Sequence, residues 1–576
     1  MKSLALVFAG VGLVGMLSAA GNADLINWLK DTYEPKTPVL NSAPEAEGLC
    51  GRVAPLVRIN GANAMGDETA KTIKLTAWKN ERVSGQFVVW SKAKVDQLRV
   101  KVGELVNEKG RKIDADAVQA RFVRYVMAHK ELVGDVLDTA ERVNLPAKGY
   151  RPCWITVTVP AKAKPGLYKA PIEVVGCGGA KVSFNLELNV LDLRLTDAED
   201  WGFFLDLWQH PWAVARYHGA VPFSKAHYEL LKPIYQELAN AGQKTITTTL
   251  TDLPWNHQNY DPYYTMIKHY RHKDGSWTHD YSLFDEYVKF AKSCGLGPQI
   301  HCYSMVPWGD RMYYIDAETG DQRFDNLPTG SEKHKQFWAP FLRDFQKHLK
   351  KKGWLGQTYI AMDERGPKQM QAVAELIREN APAIKITMAA NQVASNFKGV
   401  ELDPFCVYLE HANAPAFLED AKKRKAEGKT STFYVCCGPH RPNTFTRSPV
   451  EEATWLGIYP AAVGFDGFLR WAFCNWPRDP LFDTSYKTWL PGDTFLIYPG
   501  MRLSVRWEAL RDGIEEFEKI AQLRKAGVDM TKIDALLKSM HSDYKLVATE
   551  NSGKTKEQVD AIRAAVNEAA AKFADR

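Results

Sequence analysis

Between residues 24 and 195 apolar and polar positions alternate. In "RPCWITVTVP", Cys153, Ile155, Val157 and Val159 fall on one face of an extended chain, and Trp154, Thr156 and Thr158 on the other. A Pro-Gly turn follows, then two more strands ending in "VSFNLELNVLDL". The earlier stretches "TIKLTAWKNERVSGQFVVWS" and "VDQLRVKVGEL" behave alike. Short strands, Gly and Pro turns and no long helix predict a β-sandwich. Such a domain serves either to bind sugar or to pack against a neighbour, and packing is the simpler role.

From about residue 196 the period changes. Buried runs now alternate with helical stretches. Eight runs read as strands: 201–208, 245–251, 297–304, 357–364, 384–391, 405–410, 430–437 and 467–476. Helical patterns separate most of them, at 225–240, 283–294, 333–350, 367–378, 414–427 and 449–457, with another from 503 to about 522. Eight such units predict a (β/α)8 barrel over 196–525, with long connections after the second, third and eighth strands on its upper face. Residues 526–576 read as a helical tail, a packed scaffold element. The whole is a multidomain chain: β-sandwich, TIM barrel, helical segment.

Composition sharpens this picture in three places. The first 23 residues, "MKSLALVFAGVGLVGMLSAAGNA", carry a basic residue, an apolar run and small residues. That is a signal-peptide pattern, and it predicts an exported protein, periplasmic or secreted. No later run is long and apolar enough to predict a membrane span. A net charge of +6 spread over 576 residues lacks the concentrated basic stripe of a nucleic-acid binder. The nine cysteines include no metal-type CxxC pair; Cys153 and Cys177 have the placement to bridge two strands, but buried free thiols are the simpler reading.

The chemistry concentrates in "GQTYIAMDERGPKQM" (356–370), where Asp363 and Glu364 stand at the end of the fourth barrel strand. Barrel catalytic groups gather at that rim. One acid there is explained by capping the helix that starts at Pro367. Two are explained less well, because adjacent strand side chains diverge. Paired carboxylates are the usual equipment for cleaving a glycosidic bond. Asp206 near the end of the first strand and Glu410 at the end of the sixth are possible partners in an ordinary retaining pair. Adjacent carboxylates suit a second plan, in which the substrate's own 2-acetamido oxygen attacks the anomeric carbon. Asp363 would then orient the acetamide and Glu364 would protonate the leaving oxygen, with crowding helping to hold Glu364 protonated. The same rim offers aromatic and amide groups for sugar recognition: Trp208, Tyr303, Trp308, Asn391, Tyr434, Trp471, Asn475 and Trp476, with Trp255 and Asn256 nearby. His210, His257, His301 and His440 also fall on this side. Three convergent ligands cannot be aligned among them, so neither a metal nor any other cofactor is expected.

The barrel half resembles the glycoside hydrolase family 123 β-N-acetylgalactosaminidases and the related DUF4091 proteins. The residues that carry the resemblance are "AMDERG", "GFLRWAFCNWPRDPLFD", and "WLPGDTFLIYPG" followed by "RLSVRWEALRDGIEEFE". The last stretch, with Arg506, Glu508, Arg511, Asp512, Gly513, Glu515 and Glu516, is its most specific mark. The N-terminal sandwich resembles the family too. The resemblance implies retaining, substrate-assisted release of terminal β-linked N-acetylgalactosamine from glycans or glycolipids, with Asp363 orienting the acetamide and Glu364 as general acid/base. In one respect the chain departs from the family: an Asp-Glu-Pro run is replaced by Asp363-Glu364-Arg365-Gly366-Pro367. Two alternatives stand beside this reading. One is another exo-glycosidase of the same barrel, acting on N-acetylglucosamine or a plain galactoside. The other is a non-catalytic glycan-binding protein, which would keep the aromatic cleft without needing the acid pair.

Overall fold

A computed structural model of the chain describes residues 36–41, 47–61, 63–65, 70–549 and 553–574. The expected signal peptide lies outside them. Two β-sheets form the N-terminal sandwich. One runs in the order Leu49–Ala54, Arg82–Ser91, Tyr150–Thr158, Val118–Ala128, Glu131–Leu137 and Leu503–Ser504. The other is built on Thr72–Lys79, Lys181–Arg194, Gly166–Val175, Val95–Val102 and Val143–Leu145, with Leu105–Asn107 and Lys112–Ile113 at its side. Phe87, Cys153, Ile155, Val157, Ile172, Val174, Leu186 and Leu188 fill the space between the sheets.

The strand Tyr150–Thr158 is buried on both faces almost to its end. Its second face explains why: Trp154, with Trp78 and Val136, belongs to the core that continues into the barrel. The sandwich thus gives one sheet face to its own core and the other to packing. Leu503–Ser504, from the far end of the barrel sequence, completes the sheet by pairing with Leu137 and Val136. All nine cysteines are free; Cys153 is buried and Cys177 is exposed, so the pair expected to be able to bridge does not.

The barrel has eight parallel strands: Phe204–Leu207, Thr245–Thr249, Gln299–Tyr303, Thr358–Asp363, Lys385–Ala390, Phe405–Tyr408, Ser431–Tyr434 and Gly467–Arg470. Neighbours pair in sequence order from the second to the eighth, and the eighth pairs with the first. The seam between first and second strands closes through a bridge of Leu205 to Gln243 and a hydrogen bond from the Lys244 amide to the Leu205 carbonyl (2.9 Å). Two buried glutamines complete it. Gln243 accepts from the Leu207 amide (3.0 Å) and donates to the Thr245 carbonyl, while Gln209 accepts from the Thr247 amide (2.8 Å). The backbone groups left over where the ladder thins are thereby satisfied.

Three details differ from expectation. The sixth strand ends at Tyr408, and Leu409–Ala412 is a short helix, so Glu410 leaves the rim and is exposed. The eighth strand ends at Arg470 rather than 476, because the following loop folds over the segment and pairs Phe495 with Cys474. The connections after the second and third strands carry a four-stranded sheet: Trp277–Asp280, Lys268–Arg271, Arg311–Asp316 and Gln322–Asn326.

The helix Val505–Lys525 is buried on nearly every side. Gly513 lies against Gly457 of helix Val450–Val463, so close that a Cβ on Gly457 would stand 2.6 Å from the Gly513 carbonyl carbon. Arg506 donates to Asp135 (2.9 Å) and to the carbonyls of Thr444, Gly492 and Phe495. Arg82 of the sandwich pairs with Glu508, and Lys519 with Glu81 (2.8 Å) and Glu516 (2.6 Å). The charged run that carries the family resemblance forms an ionic seam between sandwich and barrel. The tail helices Thr531–Ser542, Tyr544–Thr549 and Gly553–Ala574 pack outside it, with Gln558 accepting from the Trp455 indole (2.9 Å). Among the described residues no helix is long and apolar enough to cross a membrane.

Candidate active site

The fourth strand is buried through Met362 and surfaces at Asp363, which is half-buried, as is Glu364. Asp363 still pairs in the sheet, opposite Ala389. Glu364 does not continue the strand. Its φ is +50°, in the left-handed region that a residue with a side chain enters at a cost of about 1 kcal/mol or more. Its amide nevertheless donates to the Ala389 carbonyl (2.8 Å). This twist lets two consecutive acids share one rim instead of pointing to opposite faces. Neither acid caps the next helix: Gly366 is the cap residue of Pro367–Asn380, and its amide donates to Gln369 Oε1 (3.2 Å).

Each acid has its own neutral donor. Asp363 Oδ2 accepts from Trp308 Nε1 (3.0 Å), and the Trp255 indole also favours the charged form of the same carboxyl. Glu364 Oε1 accepts from the Tyr434 hydroxyl on the seventh strand. Burial pushes the Asp363 carboxyl up to about 7, and the neighbouring Glu364 charge adds to this; the two indoles and Arg365 pull the other way. Sequence reasoning placed the crowded, raised acid at Glu364, but the physical pressure of burial falls on Asp363. Burial, then the Glu364 carboxyl, pushes the Tyr434 phenol upward, so it stays a donor.

The expected aromatic residues divide into those at the acids, those behind them and those in the core. Trp208, Trp255 and Tyr303 make a triangle with ring centroids 4.6–4.9 Å apart, nearly all buried, behind Asp363. Trp308 is 39% exposed and carries the Arg365 guanidinium 4.5 Å from its ring centre. Trp471 is half-buried, held by Asp493 Oδ1 (3.2 Å) and packed edge-on to Trp489. Asn391 is exposed just past the fifth strand. Asn475 and Trp476, expected at the mouth, are buried instead. Asn475 donates to Asn259, and Trp476 donates to the Ile497 carbonyl (2.8 Å) with its ring against Tyr217. Once the chain leaves the sheet at Arg470, the loop above covers both.

The histidines are also dispersed. His210 is buried on Tyr263, and burial holds it down to about 3. His301 lies inside the barrel between Gln299 (2.9 Å) and Asp206 (3.6 Å). His257 and His440 are exposed. Among the described residues no group of three or more His, Cys, Asp and Glu side chains could hold a metal ion. Asp206 is nearly fully buried and accepts from Thr245 Oγ1 (2.6 Å). Glu410 sits on its short helix, with its charge acting on Tyr408 and Tyr544.

Sequence reasoning missed several residues that shape the site. Asp493 accepts from Arg470 (2.9 Å) and from Trp471, and Asn443 accepts from Arg470 in turn (2.9 Å). Arg365 brackets Asp363 from behind, its Nε donating to the Asp363 carbonyl (2.9 Å). The "GD" of "WLPGDTF" was the available signal for Asp493; its partner was not readable.

Comparison with known proteins follows the same outline. The family model described as "Glycoside hydrolase 123, catalytic domain" matches residues 208–523, and that for the "Glycoside hydrolase 123 N-terminal domain" matches 61–176. A family 123 glycoside hydrolase from Clostridium perfringens, solved for the details of glycolipid glycan hydrolysis, is 26% identical, with a TM-score of 0.85 over 92% of this chain and 99% of its own. A family 39 glycoside hydrolase from Bacteroides cellulosilyticus is 12% identical, with a TM-score of 0.35 over 76% of this chain and 81% of its own, too loose a likeness to argue from. No curated protein matches the chain.

Proposed function

The chain belongs to glycoside hydrolase family 123, and from that premise we propose that it releases terminal β-linked N-acetylgalactosamine from glycans or glycolipids, with retention, through the substrate's own acetamide. The observation that carries this reading is the geometry of Asp363 and Glu364, two consecutive acids on one rim with separate donors: one carboxyl held by the indole of Trp308, the other by the phenol of Tyr434. The two candidates for an ordinary nucleophile are otherwise engaged. Asp206 is bound to Thr245 inside the barrel, and Glu410 is carried off on its helix.

The chemistry then runs in two steps. In the first, the acetamide oxygen attacks the anomeric carbon, the glycosidic bond breaks, and Glu364 gives its proton to the departing oxygen. Positive charge grows on the acetamide nitrogen as the five-membered ring closes. Asp363 accepts the N–H hydrogen bond and balances that charge, and a carboxyl near 7 is suited to share the proton. In the second step Glu364, now a carboxylate held by Tyr434, takes a proton from water, which opens the ring and restores the β configuration. Trp308 and Trp471 supply partly exposed indole faces on which a sugar can stack. Support for a glycolipid glycan as substrate comes from what is stated of the Clostridium perfringens relative.

The test is hydrolysis of the para-nitrophenyl β-glycosides of N-acetylgalactosamine, N-acetylglucosamine and galactose by the wild type, Asp363→Asn and Glu364→Gln. The proposal expects cleavage of 2-acetamido substrates only, fastest for the galacto epimer, and a loss of about 10²–10⁴-fold in each variant. Cleavage of the plain galactoside, or full activity without Asp363, would overturn it.

A further inference from the structure

Two and three residues beyond Tyr434, the seventh strand's turn carries two adjacent thiols. Cys436 is half-buried and Cys437 is exposed, with their sulfurs 3.7 Å apart. Cys437 lies within electrostatic reach of Glu364 and Asp493. The turn is tightly fastened. The Cys436 amide donates to the Gly438 carbonyl (2.9 Å), and Asn443 Nδ2 donates to the carbonyls of Cys436 (3.1 Å) and Pro439 (2.7 Å). Gly438 rides on Tyr408, whose hydroxyl would stand 2.4 Å from any Cβ there. Asn443 also accepts from Arg470, which holds Asp493 and through it Trp471. The dithiol is thus joined to Trp471 by one chain of hydrogen bonds, and to Tyr434, the donor to Glu364, through the adjoining backbone.

We infer that Cys436 and Cys437 form a reversible redox pair that lowers turnover when it closes to a vicinal disulfide. The co-reactant is a small exchangeable disulfide such as oxidised glutathione. The Cys437 thiolate attacks one of its sulfurs and expels the other as a thiol. Cys436, losing its proton, then attacks the Cys437 sulfur and expels the second thiol. The protein pair is oxidised by two electrons and the small disulfide is reduced to two thiols. Hydrogen bonding from Cys436 holds the Cys437 thiol down, to about 7, which favours it as the attacking group. Closing the ring must draw the sulfurs together from 3.7 Å to the bonded distance of about 2 Å, through a turn that Asn443 and Tyr408 hold in place. The displacement passes to Tyr434 and Asp493, the groups that steady Glu364 and Trp471. Catalytic geometry displaced on the ångström scale loses rate steeply.

The inference rests on the catalytic reading of Glu364 only for its effect on rate. The test therefore reads mass and activity separately. The reduced full chain is equilibrated with oxidised glutathione, and the peptide bearing both cysteines is mapped. The expected result is loss of two hydrogens in that peptide, protection of both thiols from iodoacetamide, and a fall in kcat/KM of about tenfold that dithiothreitol reverses. Cys437→Ser keeps its activity through the same treatment. Thiols that stay open to iodoacetamide at every glutathione ratio would overturn the inference. So would closure without loss of rate, or equal loss in Cys437→Ser. An inactive wild type that still closes the pair would count against the catalytic reading and not against the redox pair.

Discussion

Two sets of carboxylates are taken out of water in this molecule, and they are partnered differently. At the seam between sandwich and barrel, Asp135 is held by Arg506 (2.9 Å), Arg58 (3.1 Å) and the Tyr498 hydroxyl (2.6 Å). Glu508 and Glu81 likewise face Arg82 and Lys519. At the barrel rim, Asp363 and Glu364 receive indole and phenol hydrogens, and the nearby guanidinium of Arg365 spends its Nε on a backbone carbonyl. An ion pair ties each seam acid to a cation of the other domain and makes it scaffold. Neutral donors orient the acid but leave its proton free to move. The same residue type is structural in one place and chemical in the other because of its partner.

The comparison can be broken most severely at the seam. Arg506→Met leaves Asp135 and three carbonyls short of a donor, and should cost about 3–5 kcal/mol in denaturant unfolding, while the folded fraction retains its kcat/KM. Unchanged stability would mean the seam is not load-sharing. Asp363→Asn should do the reverse, removing activity and sparing the fold. It should also alter how stability depends on pH. The wild-type carboxyl is raised from an ordinary value of about 4 to about 7, so the folded chain keeps a proton that the unfolded chain has lost. That contribution is present below about 4 and lost as the pH rises through about 7. The variant lacks it and should gain on the wild type as the pH rises from about 4 to about 7, then run parallel to it, as judged by unfolding midpoints. Parallel curves would contradict the raised acid.

Smaller effects sharpen the picture at the donors. Tyr434→Phe removes the hydrogen bond to Glu364 and should lower kcat by about tenfold with little change in KM. Trp308→Phe removes a donor that holds Asp363 down. The acid limb of its pH–rate profile should therefore move to higher pH, by less than about one unit.

Much of this was legible in the chain itself. Most barrel strands are short buried runs rich in apolar residues, the second is a run of β-branched threonines about Ile246, and helical patterns separate most of them, so the eight units can be read from the chain, and two acids where such a run ends stand out. What was not legible depends on partners far away in sequence. Asn475 and Trp476 looked like rim residues until the loop carrying Phe495 and Ile497 covered them. The small sheet over the barrel has strands such as "QRFDN", with no apolar alternation to betray them. The seam glutamines Gln209 and Gln243 repair a ladder whose thinning no local pattern signals. The turn at Glu364 follows from the backbone, where a left-handed residue redirects a side chain that strand periodicity would send to the other face.

The central claim is that the substrate's acetamide is the nucleophile and Asp363 its guide. The most direct measurement is kcat/KM across para-nitrophenyl β-N-acetylgalactosaminides carrying acetyl, monofluoroacetyl, difluoroacetyl and trifluoroacetyl groups at the 2-nitrogen. Fluorine weakens the carbonyl oxygen as a nucleophile while changing little else. The account predicts a steep fall in rate with each fluorine in the wild type, and a much shallower one in Asp363→Asn. A flat series in the wild type would show that the acetamide does not attack, and would return the search for a nucleophile to the protein.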